Sequence, residues 1–241
     1  MAAAKRDKMS DLIAADLAAI LRQTQRGSRL EDKAASFPDL RALHRFCFCI
    51  DLFTRKANRK WRDANRKTFL LELRSDAIHM LYVLIAGDVR GAKFYLRSCV
   101  ENLWRHTYFR EHPVESRWLQ TRPSFFLTIE DLRQYCSKRS ESPAAASRCQ
   151  KRLADGYAEL CRLVHSTAIT TMTLDASFTD IRAGILETRS LARDVRAIGR
   201  DLILSLCLAE PDLMTTLDPT HRLVLTSFLD KQRRRELANL V

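Results

Sequence analysis

The scarcity of helix-breaking residues is the feature that most constrains the fold of this chain. Only 6 glycines and 6 prolines occur among 241 residues. An all-β protein needs turn residues at intervals of about 8–12 positions, which this composition does not provide. Long segments without breakers favour long helices instead. Because 46% of the residues are hydrophobic and can fill a core, we predict an all-α fold. We expect a helical bundle of about four long helices with short peripheral helices.

Apolar residues recur at helical spacing along most of the chain. Ser10 can cap a first amphipathic helix that carries Ile13 and Leu17, and a polar linker follows it. We therefore divide the chain into an N-terminal helix and linker, residues 1–36, and a single helical domain, residues 37–241. Two long helices, over about residues 69–86 and 92–111, should pack antiparallel across the break at Gly87–Gly91. Further helices are predicted from residue 129 to 138, 147 to 165, 180 to 209 and from residue 219 onward.

The cysteines and the hydropathy of the chain bear on its cellular location. Seven cysteines are present, an odd number, and most lie inside apolar helical patterns. No apolar signal segment is evident near the N-terminus, so we expect reduced, mostly buried thiols in a cytoplasmic protein. The longest apolar run, residues 77–86, is far shorter than the roughly 18–20 residues of a membrane span. We predict that it is a core helix, with His79 as a core histidine, and we expect no membrane partner.

The formal net charge of +12 favours polyanionic partners such as RNA, DNA or an acidic protein. The densest basic segment is Arg55–Lys67, in which seven of thirteen residues are Lys or Arg and Trp61 lies among them. Its cations would follow a phosphate backbone while the indole stacks on a base. The alternative is a solvated helix face anchored by a buried tryptophan. The predicted nucleic-acid-binding residues are Arg55, Lys56, Arg59, Lys60, Trp61, Arg62 and Arg66.

Charged residues at four-residue intervals mark a second candidate. Lys93, Arg97, Glu101 and Arg105 lie along one face of the helix that follows Gly91. Glu101 can pair with Arg97 and with Arg105, each across one helical turn. A solvated stripe of salt bridges would show the same pattern.

His165 is placed by its pattern at the C-terminal end of a helix that also carries Tyr157 and Cys161. The helix dipole favours a protonated ring at that position, and histidine can act as an acid or base on a phosphodiester. The alternative is that His165 caps the helix end. Arg97, Glu101 and His165 are therefore candidate catalytic residues, and Tyr157 and Arg105 are supporting residues.

The same two segments resemble a family of bacterial all-helical proteins of unknown function. The family pattern is a Gly-bounded helix with Leu-Arg-Ser and a later Glu, followed by a segment with Tyr, Leu-Ser and Val-His. The resemblance covers about residues 69–166, and Cys161 stands where the family more often has serine. The matching residues are Gly91, Ala92, Leu96, Arg97, Ser98, Glu101, Tyr108, Phe109, His112, Pro113, Val114, Glu115, Tyr157, Ala158, Glu159, Leu160, Val164, His165 and Ser166.

That family is distantly similar to the HEPN class of helical nucleic-acid proteins, and this resemblance implies RNA chemistry. Many HEPN proteins are dimeric ribonucleases of toxin and anti-phage systems, with an Arg followed four to six residues later by a His. The chain contains two such spacings, Arg74 to His79 and Arg105 to His112. Chance alone predicts about as many matches, because arginine is so abundant here.

Metal and cofactor chemistry has little support in the sequence. His44, Cys47 and Cys49 are close in the chain, but Cys47 and Cys49 point about 200° apart on a helix and cannot share an ion. Cys161 and His165 share a helix face, yet two ligands do not make a zinc site. Because no phosphate-binding glycine loop or nucleophile elbow is present either, we predict no metal and no cofactor.

Three hypotheses follow from these observations. The first is a bacterial defence- or toxin-type protein that binds or cleaves RNA as a homodimer or as a subunit of a defence complex. If it is an enzyme, it is a metal-independent ribonuclease. The second is a non-enzymatic nucleic-acid- or protein-binding subunit of a larger complex, in which the charged residues form a structural network. The third is a protein-binding adaptor that uses its first amphipathic helix.

Overall fold

The computed structural model describes residues 11–19, 29–30, 32–138, 144–165 and 180–238. Of these residues, 84% are helical and none lies in a strand, which confirms the all-α fold. The helices of the described residues are α1 (residues 11–19), α2 (Lys33–Lys60), α3 (Ala64–Ile85), α4 (Val89–Phe109), α5 (Pro113–Thr121), α6 (Ile129–Lys138), α7 (Ala144–Val164), α8 (Ile185–Ala209), α9 (Pro211–Thr215), α10 (Pro219–Phe228) and α11 (Lys231–Ala238).

Helices α3 and α4 form an antiparallel hairpin because the chain reverses at Gly87. This glycine has a φ of 96°, a conformation that residues with a Cβ atom rarely adopt. Asp88 then caps α4, since its Oδ1 accepts a 2.6 Å hydrogen bond from the amide of Gly91. The predicted break between two antiparallel helices is therefore present at the expected residues.

Helix α4 lies at the centre of the fold and contacts α3, α5, α6, α7 and α8. Its fully buried Trp104 donates from Nε1 to the side-chain oxygen of Gln150 on α7, at 2.9 Å. Gln150 in turn donates to Ser205 on α8, also at 2.9 Å. The chain of hydrogen bonds joins three helices inside an apolar core and fixes their relative positions along their axes.

Several element boundaries differ from the prediction. Five helices, rather than four, have 21 or more residues. Helix α2 begins at Lys33, where Asp32 caps it, so it crosses the predicted boundary at residues 36 and 37. Helix α8 begins at Ile185 instead of Asp180, because residues 29–30 and 183 form a short backbone bridge instead. Residues 166–179, between the two predicted helices, lie outside the described residues.

The first helix packs against the rest of the chain. Ile13 and Leu17 are buried, and Asp16 lies 2.6 Å from Nε2 of His44 on α2. The apolar side chains of Ile13 and Leu17 are thus covered by this chain, whereas Leu12 on the same helix is 46% exposed.

Six of the seven cysteines are buried and all seven, each within the described residues, are free thiols. Burial raises the pKa of the Cys207 thiol to about 12 and that of the Cys49 thiol equally, so these side chains act as small apolar residues. Among the described helices, none combines the length and the apolar composition needed to cross a bilayer.

A buried carboxylate attaches the C-terminal helix to the bundle. Asp201 on α8 has a side chain that is 3% exposed and lies 2.8 Å from the Nε atoms of both Arg152 on α7 and Arg233 on α11. Glu236 on α11 also binds Arg152, at 2.9 Å. Two buried acids therefore hold α7, α8 and α11 together.

Replacing Asp201 with asparagine should lower the free energy of unfolding by about 2–4 kcal/mol, since two arginines lose a buried counter-charge. Urea unfolding followed by circular dichroism measures this change. The matched control is Asp212→Asn, because Asp212 is exposed on α9, and it should change stability by less than about 0.5 kcal/mol. Equal effects of the two substitutions would contradict the structural role of Asp201.

Candidate functional site

The structure brings Arg97, Glu101 and His165 together between α4 and the end of α7. Arg97 Nη1 lies 2.7 Å from His165 Nε2, although the two residues are 68 positions apart in the chain. Arg97 Nε lies 3.3 Å from Glu101 Oε1, across one turn of α4. We call these residues, together with Arg105 and Tyr157, the Arg97 cluster.

Arg97 is the donor in its contact with His165. A guanidinium group has no hydrogen-bond acceptor, so Nε2 of His165 accepts from it. A ring nitrogen that accepts a hydrogen bond can also accept a proton, as a general base must.

Glu101 is the centre of the cluster. Its Oε1 accepts a 3.0 Å hydrogen bond from the Tyr157 hydroxyl, and its Oε2 lies 3.5 Å from Arg105 Nη2. Burial, the hydrogen bond with Cys161 and the charge of Glu101 raise the pKa of Tyr157 well above its ordinary value. The phenol thus stays protonated and acts as a donor that orients the carboxylate.

The cluster lies at the protein surface. His165 is exposed, while the side chains of Arg97 and Glu101 are 14% and 12% exposed. The Arg97 guanidinium lies 5.1 Å from the ring centre of Phe94, which is itself 43% exposed. Arg90 donates two hydrogen bonds to the carbonyl oxygen of Val164 and so holds the end of α7 beside α4.

Phe94 and Arg90 also belong to this site, and neither was predicted from the sequence. Phe94 lies three residues before Arg97, a spacing that places both on one helix face. The sequence could therefore have predicted Phe94 as part of the site. The partner of Arg90 is a backbone carbonyl on another helix, and no pattern in the sequence shows such a contact.

The basic segment Arg55–Lys67 lies at the other end of α4. Trp61 is only 8% exposed, and its ring stacks on His106 and lies under the Arg66 guanidinium, 4.2 Å from the ring centre. The indole is thus covered by its own protein, and the stacking on a base expected of Trp61 does not fit a ring that is only 8% exposed. The tryptophan anchors the segment, which is the alternative that the sequence left open.

The cations of the basic segment have different surroundings. Arg66 binds Glu210, Lys60 donates to the carbonyl oxygen of Asp212, and Arg55 lies 2.7 Å from Asp51. The side chains that the structure leaves exposed are Arg55, Arg59, Lys60 and Arg62, and Lys56 is half-buried. His106, which contacts Trp61 of the basic segment, lies nine residues after Arg97 on α4, a rise of about 13 Å. The Arg97 cluster and the basic segment are therefore separate surfaces.

Glu210, a residue that the sequence did not single out, joins the ends of several helices. Its carboxylate lies 2.7 Å from Arg110 Nη1, 2.7 Å from Arg66 Nη2 and 3.4 Å from His106 Nε2. Burial alone would raise the pKa of this carboxyl. The hydrogen bond with His106 and the charge of Arg110 outweigh that effect and lower the pKa of Glu210 to about 2.

Arg74 and His79, which form one of the two Arg-to-His spacings, have different interaction partners. Arg74 pairs with Asp51, while the His79 ring bonds to the carbonyl of Ser75 and stacks on Tyr95. His79 is exposed, so the prediction of a core histidine was wrong. The reason is that α3 covers the bundle with only one face, and Ile78 and Tyr82 are exposed beside His79.

The residues near His44 also have separate partners. Cys47 Sγ lies 3.0 Å from the carbonyl of Ala77, whereas Cys49 Sγ points toward the carbonyl of Val224 on α10. The described residues contain no group of three or more His, Cys, Asp or Glu side chains that could hold a metal ion.

No protein-family model, curated protein or solved structure matches the chain. The resemblance to a bacterial helical family, and through it to the HEPN class, stays a prediction that rests on the motif residues. The Arg97 cluster is accordingly the feature of the molecule from which a function is proposed.

Replacing Glu210 with glutamine should lower the free energy of unfolding at pH 7 by about 3 kcal/mol. The folded-state pKa of about 2 lies below the ordinary value of 4.5, so the ionised carboxylate stabilises the fold above pH 4.5. That contribution is lost as the pH falls from 4.5 toward 2, and the variant and the wild type should converge there. Urea unfolding at a series of pH values measures the difference.

The matched control for this pH series is Glu187→Gln, because Glu187 is an exposed carboxylate in the first turn of α8. It should show a small difference from the wild type at every pH. A Glu210→Gln defect that stays constant from pH 7 to pH 2.5 would contradict the assignment of the lowered pKa.

Proposed function

We propose that the Arg97 cluster is an RNA-binding site that cleaves RNA without a metal ion, in a bacterial defence- or toxin-type protein that acts as a homodimer or in a larger complex. The observation that carries the proposal is the 2.7 Å contact between Arg97 and the exposed His165. This arrangement places a proton acceptor next to a phosphate-binding cation where solvent can enter.

The chemistry needs one base and one cation. His165 Nε2 takes the proton of a ribose 2′-hydroxyl, and the 2′-oxygen attacks the adjacent phosphorus. The bond between phosphorus and the 5′-oxygen then breaks, and that oxygen takes a proton from water. The products are a 2′,3′-cyclic phosphate and a 5′-hydroxyl end. Arg97 exchanges its contact with His165 for a phosphate oxygen and stabilises the charge that develops there.

The surroundings of the cluster support RNA as the ligand. Phe94 offers an exposed ring beside Arg97 on which a base can stack. Lys93 and Arg105 lie along the same helix face, and the chain carries a net charge of +12. Glu101 and Tyr157 are positioning residues, since Glu101 holds the Arg97 side chain and Tyr157 donates to Glu101.

Replacing His165 with alanine should reduce RNA cleavage at least 100-fold, because it removes the general base. The melting temperature should change by no more than about 3 °C, since His165 is exposed. The assay uses labelled single-stranded RNA with EDTA present and identifies the product ends.

The control is His79→Ala, an exposed histidine on α3 that belongs to one of the Arg-to-His spacings. It should cleave as the wild type does. The proposal of catalysis fails if the His165→Ala variant retains full activity, if EDTA abolishes cleavage, or if the wild type does not cleave RNA at all.

A second candidate is a non-enzymatic nucleic-acid- or protein-binding subunit, in which the Arg97 cluster only joins α4 to α7. The observation that favours it is that both carboxylate oxygens of Glu101 already have partners. The carboxylate contacts Arg97, Arg105 and Tyr157. Each oxygen is occupied, as in a structural network.

Replacing Glu101 with glutamine distinguishes the two candidates. In a structural network the substitution lowers the free energy of unfolding by about 2 kcal/mol and leaves RNA affinity nearly unchanged. In the enzyme the same substitution also releases Arg97 and reduces cleavage. Urea unfolding, RNA binding by fluorescence anisotropy and RNA cleavage, measured on the same preparation, provide the three values.

A further inference from the structure

A pocket of about 600 Å³ lies between α1, α2 and α3. This volume is within the range of about 300–1,000 Å³ that is typical of small-molecule sites. We call it the α1–α3 pocket. It shares no residue with the Arg97 cluster, and the inference drawn from it is independent of the proposed function. Much of its wall is apolar and includes Leu12, Phe48, Leu52, Ile78, Leu81 and Ile85.

Part of this apolar wall is in contact with solvent. Ile78 is 50% exposed and Tyr82, which also lines the pocket, is 61% exposed. Exposed apolar residues that occur singly are ordinary on a protein surface, whereas these border one concave site together with Leu12. A ligand with an apolar body would remove this surface from water, which is favourable.

The pocket extends along two antiparallel helices. The chain reverses over residues 61–63, and Asp51 on α2 meets Arg74 on α3. The lining residues run from His44 to Arg55 on α2 and from Arg74 to Ile85 on α3, a rise of about 16 Å on each helix. An elongated ligand therefore fits the site better than a compact one.

Positive charge is concentrated at one end of the pocket. Arg55 Nε lies 2.7 Å from Asp51 Oδ2, and Arg74 Nε lies 2.7 Å from Asp51 Oδ1. No other acidic side chain of the described residues pairs with either arginine. One carboxylate thus serves two guanidiniums, and both arginines are accessible, since Arg55 is exposed and Arg74 is half-buried.

The other titratable groups of the wall have their own partners. Asp16 lies 2.6 Å from Nε2 of His44, which is seven residues, or about 10 Å, before Asp51 along α2. His221 pairs with Asp218. The positive charge at the end of the pocket that contains Arg55 and Arg74 is therefore not balanced by these groups.

We propose that the α1–α3 pocket binds a small amphipathic carboxylate of the fatty-acid type. Its carboxylate pairs with the terminal nitrogens of Arg55 and Arg74, which leaves the Nε contacts with Asp51 in place. Its apolar chain lies along the wall formed by Ile78 and its neighbours. A cationic amphiphile would meet like charge at this end, and an uncharged one would make no ion pair with the arginines.

The experiment is isothermal titration calorimetry on the full chain with three probes that share a ten-carbon chain. They are decanoate, decanol and decyltrimethylammonium, each below the concentration at which it forms micelles. Decanoate should bind, decanol should bind at least tenfold more weakly, and the cation should not bind. The comparison separates recognition of the carboxylate from unspecific binding of an apolar chain.

The variants Arg55→Gln and Arg74→Gln should each lower the affinity for decanoate at least tenfold. Each variant leaves Asp51 with the other arginine, so the fold should be retained, which far-ultraviolet circular dichroism checks. The matched control is Arg133→Gln, because Arg133 is a surface arginine that pairs with Glu130 on α6. It removes the same charge and should leave decanoate binding unchanged.

A second pair of variants tests the apolar wall. Ile78→Ser should lower the affinity for decanoate at least fivefold, because it removes apolar surface from the pocket. Its control is Leu186→Ser, since Leu186 is 73% exposed on α8 and does not line the pocket. This variant should bind decanoate as the wild type does.

Three results would overturn the proposal. The first is the absence of decanoate binding up to about 1 mM. The second is equal affinity for decanoate and decanol, which would show an apolar site that does not recognise the carboxylate. The third is decanoate binding that Arg133→Gln weakens as much as Arg55→Gln and Arg74→Gln do, which would show unspecific attraction to a basic protein.

Discussion

The buried chain of hydrogen bonds from Trp104 through Gln150 to Ser205 is the constraint on which the arrangement of the central helices depends. Apolar side chains alone allow one helix to slide along another at little cost, because hydrophobic contact has no direction. A buried indole nitrogen and a buried amide do not allow this, since a shift leaves polar groups without partners in the core. The rings of Tyr157 and Trp104 also pack edge to face, with their centres 5.1 Å apart, and add a second contact between α4 and α7.

The Arg97 cluster follows from that register. With α7 held against α4, Tyr157 reaches Glu101, and the end of α7 brings His165 to Arg97. Arg97 contacts the carboxylate through Nε and the imidazole through Nη1, so the guanidinium links the structural part of the cluster to its exposed part. The buried members hold the geometry, and the exposed histidine is the group available to a ligand.

The charge of the protein is distributed in two different ways. At the corner around Glu210 and at the junction around Asp201, arginines meet buried carboxylates and stabilise contacts between helices. At other places arginines meet neutral acceptors, since Arg45 donates to the hydroxyl of Ser227 and Arg90 donates to the carbonyl oxygen of Val164. The net charge of +12 does not distinguish these cases, because a structural arginine and a ligand-binding arginine have the same charge and differ only in their neighbours.

The sequence by itself determined the helical class, the hairpin at Gly87 and the pairing of Glu101 with Arg97, because these depend on residues within a few positions of one another. It did not determine that Trp61 is buried and His79 is exposed, since an apolar pattern shows that a helix has a packed face but not how far the neighbouring helices extend over it. Only the tertiary structure decided that His165 meets Arg97 and that arginines from α2 and α3 share one carboxylate at the end of an apolar pocket. Such contacts join residues far apart in the chain, and they depend on the positions of whole helices, which buried packing and hydrogen bonds determine together.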